Sequence, residues 1–317
     1  PLAHEGAASP PRAVHLMKVS FAKASTQAKR IMQGLQGRGN VVESVRTVAS
    51  YEAALTKAAQ WLKDEYKAGR ELGDLKSMTP DQAIRYLQER GEEIGQKALD
   101  QERQALQCMM RHSTSQLAHN ERLPTIASER QQVLKTRGYT SEQVQMVSSN
   151  QKEANALATD IARHAGLRAH ELLTLRPVAE QPPSNRPARP EKFSYAPGER
   201  YTVVGKGGLC REVVIPGHLA ERLEALRLPA PQQVTDRGVY YQQHYAISGG
   251  QRWSSSFTQA SKRVLGWSRG AHGLRHSYAQ DRVLTLQLSG LNYRDALEVV
   301  SQEMGHFRPE ITEVYLR

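Results

Sequence analysis

The stretch "MGHFRPEITEVYLR", residues 304–317, puts a histidine at 306 and a tyrosine at 315, with only Leu316 and Arg317 after them. Chain ends fray unless something ties them down. Either this is a solvated tail with an incidental tyrosine, or a last helix starting near Pro309 carries a needed group. Working back from it, the second half of the chain sets a succession of polar groups at turns and helix starts. Arg168 follows Gly166-Leu167 at a helix junction, with Glu171 one turn on. Lys206 lies in "GKGG", at the tip of an expected hairpin. His272 and Arg275, in "HGLRH", stand three apart and share a helix face.

Each of these residues alone has an ordinary reading. A lone arginine is usually a surface ion-pair partner, and a glycine-flanked lysine is usually a solvated turn residue. A histidine after glycine is more often a cap or a core hydrogen-bonder than a catalyst. "GKGG" lacks the spacing of a P-loop. His272 and His276 have the i,i+4 spacing of zinc ligands, but Gly273 stands where the H-E-x-x-H pattern needs glutamate, and no third ligand is evident. No metal and no cofactor are therefore expected.

As a set the residues read differently: Arg168, Arg275, Lys206, His272 and His306 suit one phosphate, with Tyr315 as nucleophile. A phosphodiester resists attack because its charge repels nucleophiles and grows on the non-bridging oxygens in the transition state. Arginine forks grip two oxygens at once, stay charged and stabilise that growth. A tyrosine hydroxyl is a weak nucleophile near neutral pH and needs a base or strong electrostatic help. The leaving 5′-oxygen needs a proton, which a lysine on a hairpin can deliver.

Composition agrees with a polyanionic partner. The chain of 317 residues carries 43 Lys and Arg against 32 Asp and Glu, a net charge of +11. Of these, 21 basic and 15 acidic residues precede Gly138 and 22 and 17 follow it, so the excess is spread over both halves rather than held in one tail. That distribution fits a large polyanion held along two domains. Two cysteines far apart in sequence, Cys108 and Cys210, make no disulfide scaffold and point to a reducing, cytoplasmic setting. No stretch approaches the ~20 apolar residues of a membrane span, and no membrane partner is expected. The chain opens on Pro1 without an initiator methionine, which reads as a fragment.

The pattern along the chain is mainly α with a small antiparallel β-sheet. Residues 1–12 read as a flexible arm, and a basic helix is expected from Ala13 to Leu35. Ser50 reads as the N-cap of a helix whose Tyr51, Leu55, Ala58, Trp61 and Leu62 share one face. Thr79-Pro80 with Gln82, and Thr140 with Gln143, spell capping boxes. Leu99, Leu106 and Met110 mark a further buried stripe. Residues 151–175 read as helix, glycine turn, helix. The Pro-rich segment 176–199 reads as a mobile loop, and 200–216 as a hairpin. Further helices follow, with no second sheet.

"HAGLRAHELLTL", "VVGKGGLCREVVIP", "HGLRHSYAQ" and "MGHFRPEITEVYLR", in that order, resemble the tyrosine recombinase (phage integrase) family over residues 139–317. The resemblance implies a helical core-binding domain (13–118), a linker (119–138) and a catalytic domain (139–317). It implies Arg168, Lys206, His272, Arg275 and His306 around the scissile phosphate, Glu171 as the residue that orients Arg168, and Tyr315 as the nucleophile forming a 3′-phosphotyrosyl link. It also implies four protomers on two DNA sites, and an integrase of a phage, plasmid or integrative element. A type IB topoisomerase-like relaxer and a catalytically silent DNA-binding factor are the alternatives. Three departures stand out. The 31 residues from Arg275 to His306 exceed the compact members, the loop before the hairpin is long, and only two residues follow Tyr315.

Overall fold

The computed structural model describes residues 20–37, 39–70, 73–131, 135–205 and 207–317. The expected arm at 1–12, the start of the first expected helix (13–19) and Lys206 lie outside the described residues. The chain divides into two compact units, Pro1–Val133 and Leu134–Arg317.

The first unit is helical. Helix α1 runs Ala24–Leu35, so residues 20–23 are not helical although the basic pattern continues through them. Helix α2 spans Val45–Lys67, six residues earlier at its start than the Ser50 cap predicts, with Ser44 in the N-cap position. The early start puts Val48 against the core. Helix α3, Pro80–Glu93, opens on the predicted Thr79–Gln82 capping box, and α4 spans Gln96–His112. Their facing stripes, including Leu55, Leu62, Leu87, Leu99, Leu106 and Met110, are all but sealed from solvent. Burying such side chains is the main stabilising term in a unit of this size. Part of the stretch expected as a linker also packs here: Leu123 is buried in this core, and Ser128 Oγ donates to the Ile94 carbonyl at 2.7 Å.

One charged group sits inside this unit. Glu102, 3 % exposed, accepts from Tyr86 Oη at 2.8 Å, Lys57 Nζ at 2.8 Å and Arg90 Nε at 3.1 Å. Its burial opposes ionisation, but Arg90, Lys57 and Tyr86 outweigh that and hold the carboxyl below its ordinary value.

The second unit is mixed. Helices α5 (Ser141–Ser148, on the predicted Thr140–Gln143 box) and α6 (Glu153–His164) come first. Where a second helix is expected after the glycine turn, only a 3-10 turn forms, Glu171–Thr174. The reason is local: the Glu171 side chain folds inward onto its own loop, and Leu172 and Leu173 are buried before the chain extends. Strands β1 (Arg176–Pro177), β2 (Glu199–Val204) and β3 (Cys210–Ile215) form an antiparallel sheet in that order, with Val204 opposite Cys210. Helix α7, Gly217–Glu224, follows.

Strands β4 (Arg227–Asp236) and β5 (Val239–Tyr245) make a second hairpin that the sequence pattern does not announce. Strand β4 is exposed on both faces over most of its length, carries Pro229 and Pro231, and has a register irregularity between Arg227 and Gln232. It therefore lacks the alternation that marks a half-buried strand. Helices α8 (Gly250–Leu265), α9 (Gly273–Leu288), α10 (Tyr293–Glu303) and α11 (Pro309–Glu313) complete the unit, with a final 3-10 turn at Val314–Leu316.

The Pro-rich segment is not the free loop its composition predicts. Ser184 N donates to the Cys210 carbonyl at 2.8 Å, Arg189 N to Gln302 Oε1 at 2.8 Å, and Phe193, 5 % exposed, gives its N–H to Glu303 Oε1 at 2.8 Å. Glu303 is itself fully buried and also accepts from Arg282 Nη2 at 2.7 Å and Tyr278 Oη at 2.9 Å. These polar anchors are side-chain and backbone pairings at long sequence separation, which composition cannot reveal.

Breaking a buried ion pair by deleting one partner is costly because the other is left uncompensated. Glu102→Ala is expected to destabilise the first unit by roughly 3 kcal/mol. Native-state amide exchange should then speed up across helices α1–α4, with the second unit unaffected.

Candidate active site

The site is built around one buried carboxylate. Glu171, fully buried, accepts from the Arg168 backbone N–H at 2.8 Å through Oε2 and from Arg168 Nη1 at 2.7 Å through Oε1. Arg211 Nη2 donates to Oε2 at 2.7 Å, and Arg275 Nη1 stands 3.8 Å from the same oxygen. Burial alone pushes the Glu171 carboxyl up, but Arg211, Arg275 and Arg168 together hold it well below the usual carboxylate range. Three guanidiniums thus share one counter-charge, which leaves an excess of about two positive charges.

Arg275 enters from the first turn of α9, where the helix is buried almost all round. It is wholly enclosed, donating from Nη1 to the Gly166 carbonyl and from Nη2 to the Met304 carbonyl at 3.2 Å. Burial, followed by the charge of Arg168, lowers its pKa to about 10, so it remains a cation at neutral pH. Arg211 reaches the same loop from β3: Nη2 lies 3.3 Å from the Gly166 carbonyl, and Nη1 donates to the Glu303 carbonyl at 2.7 Å. Two glycines make these approaches possible. Gly166 has φ +58° and faces the Tyr278 ring, 2.6 Å from where a Cβ would stand. At Gly305, φ +71°, a Cβ would meet Arg211 Cδ at 2.7 Å. Only glycine takes such a backbone without strain and also leaves the space empty.

Arg211 is the residue that sequence reasoning missed. Its one signal is an arginine in a strand otherwise made of apolar and pairing residues, following the lysine hairpin.

His306, past Gly305, faces Arg275. An arginine N–H can only donate, so His306 Nε2 accepts from Arg275 Nη2 at 3.0 Å, and its Nδ1–H donates to Thr312 Oγ1 at 2.8 Å. Burial and then Arg275 push its pKa down to about 3. His276, 6 % exposed, is lowered to about 4 by burial and then Arg137. His272 is lowered to about 4 by burial among the surrounding groups and then Arg275, although one side of it opens to solvent. All three rings are neutral at pH 7.

Tyr315, in the last 3-10 turn, lies among them. Its ring centroid is 5.4 Å from His272, 4.7 Å from His276 and 5.1 Å from His306, and the Arg275 guanidinium is 5.6 Å over its face. The hydroxyl is 3.1 Å from His272 Nε2. Gln280, one turn beyond His276 on α9, donates to the Tyr315 carbonyl at 3.3 Å and to the Arg317 carbonyl at 3.2 Å. The terminal turn is thus tied to α9 by side-chain bonds. Of the sequence-derived set, Arg168, Glu171, His272, Arg275, His306 and Tyr315 come together here. Lys206 lies outside the described residues, but the glycine before it is adjacent to the site: a Cβ on Gly205 would stand 3.4 Å from Glu171 Oε1 and 3.9 Å from Arg168 Nη1. Among the described residues, no group of three or more His, Cys, Asp or Glu is arranged to hold a metal, and no helix is long and apolar enough to cross a membrane.

The fold is that of the tyrosine recombinases. The chain aligns with the XerH site-specific recombinase bound to its difH substrate at a TM-score of 0.55 and 17 % identity, over 92 % of this chain and 81 % of that one. It aligns with a lambda integrase dimer bound to a COC′ core site at a TM-score of 0.55 and 14 % identity, over 92 % and 76 %. With the Tn1549 transposon integrase in complex with transposon right end DNA the values are 0.51 and 12 %, over 93 % and 95 %. No sequence-family model matches the chain, and no curated protein matches it in sequence.

The depressed histidine values make stability depend on pH in a definite direction. The folded state disfavours the protonated rings, so below the ordinary value of 6.5 the unfolded chain takes up more protons and stability falls with pH towards about 4 for His276 and about 3 for His306. His306→Gln is expected to flatten this dependence by about 1.4 kcal/mol per pH unit between 6.5 and about 3. Urea unfolding of the second unit across that range checks it.

Proposed function

We propose that this protein is a site-specific tyrosine recombinase, an integrase of a mobile element, that cuts and rejoins double-stranded DNA through a 3′-phosphotyrosyl intermediate. One observation carries the reading: a tyrosine hydroxyl 3.1 Å from a neutral histidine nitrogen, beside three guanidiniums offset by a single carboxylate. The chemistry follows from it. The scissile phosphate occupies the cationic site, with its non-bridging oxygens held by Arg168 and Arg275, and His306 steadies the Arg275 fork by accepting from Nη2. Tyr315 Oη attacks phosphorus and gives its proton to His272 Nε2, whose pKa near 4 leaves the nitrogen free to accept. The bond from phosphorus to the 5′-oxygen breaks as the bond to tyrosine forms. Lys206, on the hairpin beside Gly205, protonates the leaving 5′-oxygen.

The reverse step needs a 5′-hydroxyl from a partner strand to attack the phosphotyrosine, which regenerates Tyr315. Bond energy is conserved, so no nucleotide triphosphate enters. Glu171 does not touch substrate; it positions Arg168 through two bonds. Four protomers on two DNA sites exchange strands through a Holliday junction, in the cytoplasm at the nucleoid. The neighbours in fold, among them a recombinase on its substrate and a transposon integrase on transposon-end DNA, support this reading.

On nicked duplexes carrying candidate attachment sites, the protein should form a covalent adduct in the presence of EDTA. Tyr315→Phe should bind the same DNA with no adduct; an adduct from that variant moves the nucleophile elsewhere. Arg168→Ala should slow cleavage by about 10²–10³-fold, the cost of one lost oxyanion donor, measured by single-turnover gel assay with binding held saturating.

A further inference from the structure

The Pro-rich segment before β2 has no part in the chemistry above, yet it is pinned at both ends beside the site. At one end Ser184 exchanges two hydrogen bonds with Cys210, N–H to carbonyl at 2.8 Å and amide to hydroxyl at 3.2 Å, at the start of β3. At the other, Arg189 is bound to Gln302 through its N–H and to Asp295 and Glu298 through its guanidinium at 3.0 and 3.1 Å, all three on α10. Between these anchors Arg186 is exposed, and its guanidinium carbon sits 5.8 Å over the ring of Phe307. Phe307 follows His306 directly, and Gly305 lies against Leu209 at the root of the hairpin, with 3.6 Å from its would-be Cβ to Leu209 Cδ2. Three segments therefore meet at the rim of the site: the pinned loop, the lysine hairpin and the histidine turn.

The charges on this rim are sorted. Arg189 is spent on carboxylates, and Lys192 faces Glu212 at 3.9 Å. Among the described residues Arg186 has no hydrogen bond or ion pair, and neither does the side chain of the neighbouring exposed Arg308. Phe307 adopts a left-handed φ of 54° and is 36 % exposed. An L-residue with a bulky side chain holds such a conformation at a cost of order 1–3 kcal/mol, which the surrounding contacts must offset. A guanidinium held over a ring is restrained by it, and its fork of N–H donors is suited to grip two phosphate oxygens.

We propose that Arg186, carried over Phe307 by the pinned loop, is a contact for a DNA backbone phosphate adjoining the scissile one. The proposal rests on the recombinase reading. It gives the long loop a task, fixing the register of the DNA strand on the side of His306 and the lysine hairpin without reading bases.

The test is the salt dependence of binding to a random-sequence duplex, by fluorescence anisotropy, for the wild type, Arg186→Ala and Arg186→Lys. Each phosphate neutralised contributes roughly 0.9 to the slope of log affinity against log salt. Arg186→Ala should bind more weakly with a slope shallower by about 0.9, Arg186→Lys should keep the slope, and all three should melt at the same temperature. An unchanged slope in Arg186→Ala overturns the proposal. If that variant instead loses self-association in sedimentation, the loop docks on an acidic face of a second copy, which overturns it too. Wild-type protein that still forms the Tyr315 adduct while the slopes coincide sinks only the Arg186 contact. Wild-type protein that neither binds nor traps DNA sinks the recombinase reading and the contact together.

Discussion

The second unit depends on the carboxylate of Glu171. Two of the three guanidiniums it faces, Arg211 and Arg275, are sealed from solvent. Moving one such ion out of water costs several kcal/mol even after relaxation, and attraction to a well-placed counter-ion repays this only with good geometry and satisfied hydrogen bonds. Glu171 supplies the counter-ion, and the carbonyls of Gly166, Glu303 and Met304 supply acceptors for the remaining N–H groups. The compensation is incomplete, since Arg275 Nε has no partner. Arg211 Nε is likewise unpartnered, and one carboxylate balances only one of the three guanidinium charges.

Helix α9 converts this charge into a geometry. Its first turn delivers Arg275 to the pocket, while His272, His276 and Gln280, spaced four apart, line one face and meet the ring, backbone and hydroxyl of the terminal turn. The same helix, through Tyr278 and Arg282, grips Glu303 at the end of α10, and Glu303 leads to Gly305 and His306. Tyr315, His272 and Arg275 are therefore set relative to one another by one rigid element.

How much of this the sequence disclosed follows from where the information resides. Both capping boxes, the β2–β3 hairpin and the helical stripes were legible because they depend on residues within a few positions of one another. The six described site residues were legible because their chemical types are unusual as a set and stand at turns. The β4–β5 hairpin was not, since a strand exposed on both faces has no alternation to read. Nor was the anchoring of the Pro-rich segment, which uses Ser184, Arg189 and Phe193 in pairings some 26 to 113 residues distant. Arg211 escaped because a buried cation in a strand is meaningful only once its carboxylate partner, 40 residues away, is known.

The acceptors that hold the cations are mostly main-chain oxygens. Gly166, Glu303 and Met304 each offer a carbonyl, and a carbonyl is present whatever side chain is attached. The Glu303 side chain is fixed by its own pairing with Arg282 and Tyr278 and that of Met304 by its packing, neither by Arg211 or Arg275, which use the carbonyls. Much of the framework that holds the charge is thus written in backbone and leaves no trace in residue identity. A lineage can exchange most of its letters while the path of the chain, and with it the array of oxygens, stays in place. That is a physical reason why a chain sharing 17 % of its residues with a structural neighbour can keep the same fold over 92 % of its length.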